Sequence, residues 1–149
     1  MHIRFAEKKD LPQIIALCRI HAAYEQAEYS PSNKEKLLSE SLFGQFPSLK
    51  CLVVAQESSL VGYTTYLKQF STWEASFYIY LDCLFLREEI RGQGLGMLLV
   101  KKIIAYAKAE GCKMIQWQTP IFNQQAIYFY RKIGGISKTK ERFFLTIEA

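Results

Sequence analysis

The stretch that most constrains this chain runs from Leu81 to Val100. An apolar, strand-like run (Leu81-Asp82-Cys83-Leu84-Phe85-Leu86) enters a short charged turn, Arg87 to Arg91. Three glycines then alternate with other residues in Gly92-Gln93-Gly94-Leu95-Gly96, and Met97 to Val100 continues as an apolar, helix-like run. Strand, glycine turn and helix in that order build an anion site. Glycine lets the backbone adopt φ > 0 and approach a ligand closely. The first N–H groups of a helix have no internal acceptors and carry partial positive charge, so a phosphate fits there. Arg91 adds a positive group at the entrance to the turn.

Two common phosphate loops are excluded. A Walker loop requires Gly-x-x-x-x-Gly-Lys-Ser/Thr, and no such string occurs. The glycine run is one residue short of the dinucleotide pattern Gly-x-Gly-x-x-Gly, lies mid-chain, and is not followed about 20 residues later by an acidic strand end. What the residues do spell is Arg-x-x-Gly-x-Gly, through Arg91, Gly94 and Gly96. A glycine-rich strand-to-helix turn without a ligand is the alternative for the loop taken alone.

The chain has 149 residues, 50% hydrophobic and 22% charged, enough apolar material for one globular domain spanning residues 1–149. No apolar run reaches the roughly 18 residues of a membrane span. Charges at Arg4, Glu7, Lys8, Lys9 and Asp10 break up any secretory signal, so the expectation is a cytoplasmic protein with no membrane partner. Cys18, Cys51, Cys83 and Cys112 are widely spaced, and the only histidines are His2 and His21. No metal site is expected, and the cysteines read as reduced residues in or near the core. The net charge of +5 is unevenly placed: residues 1–75 hold eight basic and eight acidic side chains, residues 76–149 eleven and six. A nucleic-acid surface fits such an excess. A pocket for a polyphosphate cofactor also fits it, and the scattering of Lys101, Lys102, Lys108, Lys113, Arg131 and Lys132 favours the pocket over nucleic acid.

Local patterns give the element order β-α-α-β-β-β-α-β-α-β, an α/β (α+β) fold with a mixed sheet flanked by helices. Met1–Phe5 reads as a strand. Asp10 is the expected cap of a helix reaching about Ala27, with Pro12 in its first turn. Asn33 opens a second helix. Cys51–Ala55 and Leu60–Leu67 form a hairpin, Phe70–Ala75 a loop, and Phe77–Leu86 a strand apolar enough to be buried on both faces. The helix after the glycine loop presents Leu95, Leu98, Leu99, Ile103, Tyr106 and Ala107 on one face and stops at Gly111. Cys112–Thr119 is an expected strand, Asn123 the cap of a short helix ending at Gly134-Gly135, and Arg142–Ile147 a closing strand.

The short helix carries a second pattern, Asn123-Gln124-Gln125-Ala126-Ile127-Tyr128-Phe129-Tyr130-Arg131-Lys132-Ile133-Gly134. It resembles Asn-x-x-Ala-x-x-Phe-Tyr-x-x-x-Gly of the GNAT N-acetyltransferases, and Arg-x-x-Gly-x-Gly resembles their pyrophosphate loop. With both motifs in order, the chain resembles this superfamily over most of its length. Its mostly antiparallel fold and the cofactor acetyl-coenzyme A are what the resemblance implies. Tyr24-Glu25, Trp73 and Tyr80-Leu81-Asp82 before Leu84-Phe85-Leu86 are most similar to the diamine (spermidine/spermine) and thialysine N-acetyltransferases. Asp82-Cys83 replaces the adjacent acidic pair of those enzymes, and the segment around Trp73 is one residue longer; both differences fall where the amine binds.

The resemblance implies roles. Backbone groups of Leu84, Phe85 and Leu86 pair with the pantetheine arm, and an amide there polarises the thioester carbonyl. Arg91 and the stretch Gly92, Gln93, Gly94, Leu95, Gly96 and Met97 hold the pyrophosphate; Asn123, Ala126 and Tyr130 contact the cofactor. Tyr24, Glu25, Trp73 and Asp82 face the acceptor, a small-molecule amine; independently, Glu25 and Glu28 oppose the dipole at the end of the first helix, which reads either as groups serving that ligand, with Glu28 also facing the acceptor, or as two solvated glutamates. The chemistry agrees. A primary amine, with a reference pKa of about 10.4, must lose a proton before attacking a thioester; Asp82 is the candidate base. Tyr130 is the candidate acid for the departing thiolate. The plain alternatives are a core aromatic at Tyr130 and a strand carboxylate capping or pairing at Asp82. The expected activity is acetyl transfer from acetyl-coenzyme A to a polyamine-like acceptor, directly in a ternary complex. Alternatives are an aminoglycoside, amino-acid or protein N-terminal acceptor, a coenzyme A-binding fold without chemistry, or a nucleic-acid-binding module. The family also implies a homodimer.

Overall fold

The computed structural model describes residues 1–30 and 32–148. The chain forms two compact units, Met1–Gln118 and the residues from Thr119 onward. The first holds β1 (His2–Phe5), α1 (Leu11–Tyr24), α2 (Lys34–Phe43), β2 (Lys50–Gln56), β3 (Ser59–Ser71), β4 (Ser76–Leu86), α3 (Leu95–Ala109) and β5 (Ile115–Gln116). The strands lie side by side in sequence order, antiparallel except for β4 and β5. Among the described residues no helix is long and apolar enough to cross a membrane.

Alternation along β2 divides the core in two. Leu52 and Val54 pack with Ile79, Leu81, Leu99 and Ile103 on the α3 side of the sheet. Cys51, Val53 and Ala55 pack with Ile14, Leu17, Tyr63 and Phe85 on the α1 side. Successive side chains of a strand point to opposite faces, so one strand supplies both layers.

Near the N-terminus the first helix differs from expectation. Asp10 precedes α1 but does not cap it with its side chain. Its carboxylate accepts two bonds from Arg4, at 2.6 and 3.0 Å, and one from the Glu7 N–H at 2.7 Å. The guanidinium holds this buried carboxyl below the usual carboxylate range. The helix ends at Tyr24, short of Ala27, because Gln26 turns left-handed at φ 57°. Asn33 also opens α2 by position only, at φ 60° and without a side-chain cap bond.

The β3–β4 hairpin is longer than its hydrophobic pattern suggested. The expected loop from Phe70 is still strand to Ser71, and only residues 72–75 form the turn. Phe70 and Phe77 close the hairpin edge to face, with centroids 5.1 Å apart. This end of β4 is not buried on both faces: Phe77 is 50% exposed. In α3, Leu98 falls off the buried stripe and Val100 joins it. The strand expected over Cys112–Thr119 shrinks to Ile115–Gln116, which pairs only with Ile79 and Tyr80.

The second unit contains α4 (Gln124–Lys132). Asn123 caps it as expected, its Oδ1 accepting from the Ala126 N–H at 3.3 Å. The closing strand is not formed. Residues 136–148 adopt neither helix nor strand, and Phe143, Phe144, Leu145 and Ile147 are exposed. Aromatic and β-branched residues favour strands only where a neighbouring strand gives them a surface to pack on, and no described strand pairs with this segment.

Candidate active site

The site begins with an irregularity in β4. Thr65 pairs with Cys83, but the next residue, Tyr66, pairs with Leu81, leaving Asp82 as the extra residue of a β-bulge. The bulge shifts the alternation. Before it, Ile79 and Leu81 face α3; after it, Leu84 and Leu86 face α3, while Cys83 and Phe85 face α1. A bulge puts two successive side chains on one face and twists the strand locally, so Asp82 and Cys83 emerge together on the α1 side. Their side chains meet, with Cys83 Sγ 3.8 Å from Asp82 Oδ2.

Pairing with β5 stops at Tyr80, so from Leu81 to Leu86 the ladder of β4 runs with β3 alone. Its other edge offers backbone donors and acceptors to an extended partner. Directly after this edge the chain turns through Glu88–Ile90 into the glycine loop. Gly92 and Gly94 take φ 77° and 81°, and a Cβ at either would meet nothing within 4 Å. The loop is therefore open as well as left-handed. Gly94 supplies the first helical acceptor, its carbonyl taking the Leu98 N–H at 3.1 Å. The N–H groups of Leu95, Gly96 and Met97 lie in the first turn of a 15-residue helix, where the backbone provides no acceptor.

The Arg91 side chain folds back onto the end of β4. Its Nε donates to the Leu86 carbonyl at 2.8 Å, tying the loop to the end of β4. Its guanidinium lies 4.7 Å from the Tyr24 ring centre and 5.5 Å from that of Phe85, in cation–π range. It thus belongs to the group of side chains on the α1 side.

That group has His21 at its centre. Its Nδ1 is 2.8 Å from Tyr63 Oη, its Nε2 is 3.3 Å from Glu25 Oε1, and its ring stacks on Phe85 with centroids 5.0 Å apart. Burial pushes the His21 pKa down, an effect reinforced by Arg91 and opposed by Glu25 and Asp82. Burial likewise raises Tyr63, and raises the Cys83 thiol to about 12. These groups are neutral at pH 7, while Glu25 and Asp82 retain solvent access. Among the described residues no group of three histidine, cysteine or acidic side chains could hold a metal ion.

The structure thus brings Tyr24, Glu25 and Asp82 together. Glu28 is exposed beyond the end of α1, and no described hydrogen bond or ion pair joins it to the group. Trp73, 94% exposed, lies in the hairpin turn beyond Ser76. Asp82 is about 20 Å of strand from that turn, at roughly 3.3 Å per residue. In the second unit, Asn123 is buried and its carboxamide also reaches Thr119 Oγ1 at 3.4 Å, so it shapes the start of α4. Ala126 follows in the first turn, and Tyr130 is half-buried with its ring 5.5 Å from that of Phe129; Tyr128 is 70% exposed. His21, Tyr63 and the bulge were missed in the sequence. His21 lies in register with the apolar positions of α1 and reads as core, and Tyr63 as an ordinary strand aromatic.

The profile of the acetyltransferase (GNAT) family matches residues 14–135. The chain belongs to that family. As a GNAT protein it is an N-acetyltransferase, transferring acetyl to an amine. A thialysine N-epsilon-acetyltransferase of Bos taurus is 31% identical over 146 residues, covering 93% of this chain and 85% of the relative. The Mus musculus thialysine N-epsilon-acetyltransferase is 28% identical, covering 97% and 89%. Among solved structures, an aminoglycoside acetyltransferase from an uncultured soil metagenomic sample superposes with a TM-score of 0.81 at 21% identity, covering 99% of this chain and 96% of that one. That last likeness concerns the fold.

Proposed function

We propose that this GNAT chain transfers the acetyl group of acetyl-coenzyme A to the primary amine of a small cationic acceptor, by direct attack in a ternary complex. The observation that carries the reading is the course of β4. One strand joins an acidic group at its bulge to a free ladder edge and then to an open glycine loop. The parts suit an acyl-coenzyme A. The amides from Gly92 to Met97 would hold its diphosphate, and the Leu84–Leu86 edge its amide-bearing arm. When bound, it supplies the activated thioester.

The chain's own residues handle the acceptor. Glu25 and Asp82 contribute two negative charges and Arg91 one positive, so the group presents one net negative charge beside neutral His21 and Tyr63. The C-terminal end of α1 adds its partial negative charge. This field attracts an ammonium group. Asp82 takes the proton that the amine must lose, and Tyr130, with a reference pKa of about 10, gives one to the departing sulfur. The likeness of α4 to the family motif supports that assignment of Tyr130. The thialysine named for the relatives fits the same chemistry. A homodimer in the cytoplasm, without nucleic acid, is the associated expectation.

The test is a panel of spermidine, thialysine, an aminoglycoside and free amino acids, read by acetyl-coenzyme A-dependent release of thiol. Tyr130→Phe should lose about 100-fold in turnover while keeping cofactor affinity within twofold. Unchanged turnover on a working acceptor would remove Tyr130 as the acid; no release with any amine, by protein that binds the cofactor, would remove the acceptor class.

A further inference from the structure

The polar chain around His21 is connected from end to end, and the protonation states along it follow from its partners. An ionised carboxylate only accepts hydrogen bonds. The Nε2 atom, 3.3 Å from Glu25 Oε1, therefore carries the hydrogen. In a neutral imidazole Nδ1 is then an acceptor, so the Tyr63 hydroxyl donates to it across 2.8 Å. Phe85 stacks on the His21 ring, Tyr63 meets it edge-on at 5.8 Å, and its side chain is only 12% exposed. Glu25 remains 32% exposed, so the carboxylate keeps a free side toward solvent.

We propose that His21 is a positioning residue for acetyl transfer: its Nε2–H steers the Glu25 carboxylate toward the acceptor's ammonium, and Tyr63 fixes the tautomer that does so. The groups acting on this imidazole are Glu25 just past α1, Tyr63 from β3, Asp82 and Phe85 from β4, and Arg91 from the following turn. Of these, Glu25 alone is both in contact with Nε2 and open to a ligand. A free glutamate at a helix end samples several rotamers. One held by a buried donor is set in place before the acceptor arrives, which lowers the ordering cost of binding.

The proposal rests on the acetyl-transfer reading, and its test separates the two. His21→Phe keeps the stacking on Phe85 and deletes both hydrogen bonds. The acceptor KM should rise about tenfold, the size expected for losing a charge-assisted hydrogen bond, while the KM for acetyl-coenzyme A stays within twofold. His21→Gln keeps a donor for Glu25 and should recover acceptor KM to within about threefold of the parent protein. A merely structural histidine would move both KM values together, and that result overturns the proposal, as does an unchanged acceptor KM in His21→Phe. A second measurement needs no acceptor. The chain has two histidines, so imidazole nitrogen signals are assigned by comparison with a His2→Gln protein. His21 should be in the Nε2–H tautomer at pH 7, and Glu25→Gln or Tyr63→Phe should disturb it. An Nδ1–H tautomer, or a spectrum indifferent to both substitutions, overturns the arrangement even if the enzyme acetylates amines. Absence of thiol release with every amine, alongside the expected tautomer, counts against the reaction and leaves the arrangement standing.

Discussion

Replacing Gly94 with alanine separates a loop shaped for a ligand from a loop shaped only for a turn. Gly94 has φ 81°, and a Cβ there meets nothing within 4 Å. The structural cost is therefore backbone strain without collision, about 1–2 kcal/mol for a non-glycine residue in the left-handed region. It is partly offset because alanine restricts the unfolded chain, by about 0.4–1 kcal/mol. The net loss of roughly 1 kcal/mol corresponds to about 2–4 °C in Tm for a chain of this size. Gly111 supplies the control: it ends α3 at φ 73° with equally open surroundings. Gly111→Ala should match Gly94→Ala in thermal unfolding. The two should part in calorimetric titration with acetyl-coenzyme A. The methyl group at position 94 enters the space assigned to the diphosphate and should weaken binding at least tenfold, about 1.4 kcal/mol; the one at position 111 should leave affinity within twofold. Equal affinities for both variants would mean that the loop is shaped only for its turn.

Three further outcomes are expected. Asp10→Asn should destabilise the protein by about 2–3 kcal/mol in urea unfolding, because Arg4 loses a partner that is only 4% exposed. Since Asp10 has a lowered pKa in the fold, its contribution is complete above its unfolded value of about 3.9 and is lost as pH falls through the folded value; a fall of the parent's stability toward Asp10→Asn only on the alkaline side would contradict this. Gly62→Ala places a Cβ 2.5 Å from Leu86 Cδ2 and 2.9 Å from the Phe85 carbonyl, at the end of β4 proposed to carry the cofactor's arm. It should cost about 1–3 kcal/mol and also reduce acetyl-coenzyme A affinity, whereas an unchanged Tm would show that β4 yields without consequence. Cys51 and Cys83, whose burial pushes both thiols to about 12, should react with a disulfide reagent at pH 8 far more slowly than in urea; equal rates would place them in solvent.

Features set by local chemistry were legible in the sequence. The glycine loop could be read because φ > 0 and a helix start leave residue-level marks, and the Asn123 cap because its bond closes within three residues. Features set by pairing were not. The bulge at Asp82 arises from register against β3, and it alone explains why Asp82 and Cys83 share a face. Position alone places Arg91 beside a phosphate; that its side chain lies on the carbonyl of Leu86 and the ring of Tyr24 is visible only in the fold. Residues 142–147 have the composition of a strand without a described ladder partner. His21 was masked by periodicity: a polar residue on an apolar stripe reads as core until Tyr63 and Glu25 are seen on either side of it.

If acetyl-coenzyme A lies along the free edge of β4 with its diphosphate in the glycine loop, backbone amide chemical shifts will report it during titration with the cofactor. Saturable changes should concentrate at Leu84–Leu86 and Gly92–Met97, with the control amide of Gly111 unmoved. Saturation with those two stretches silent, or no change at millimolar cofactor, would contradict the account.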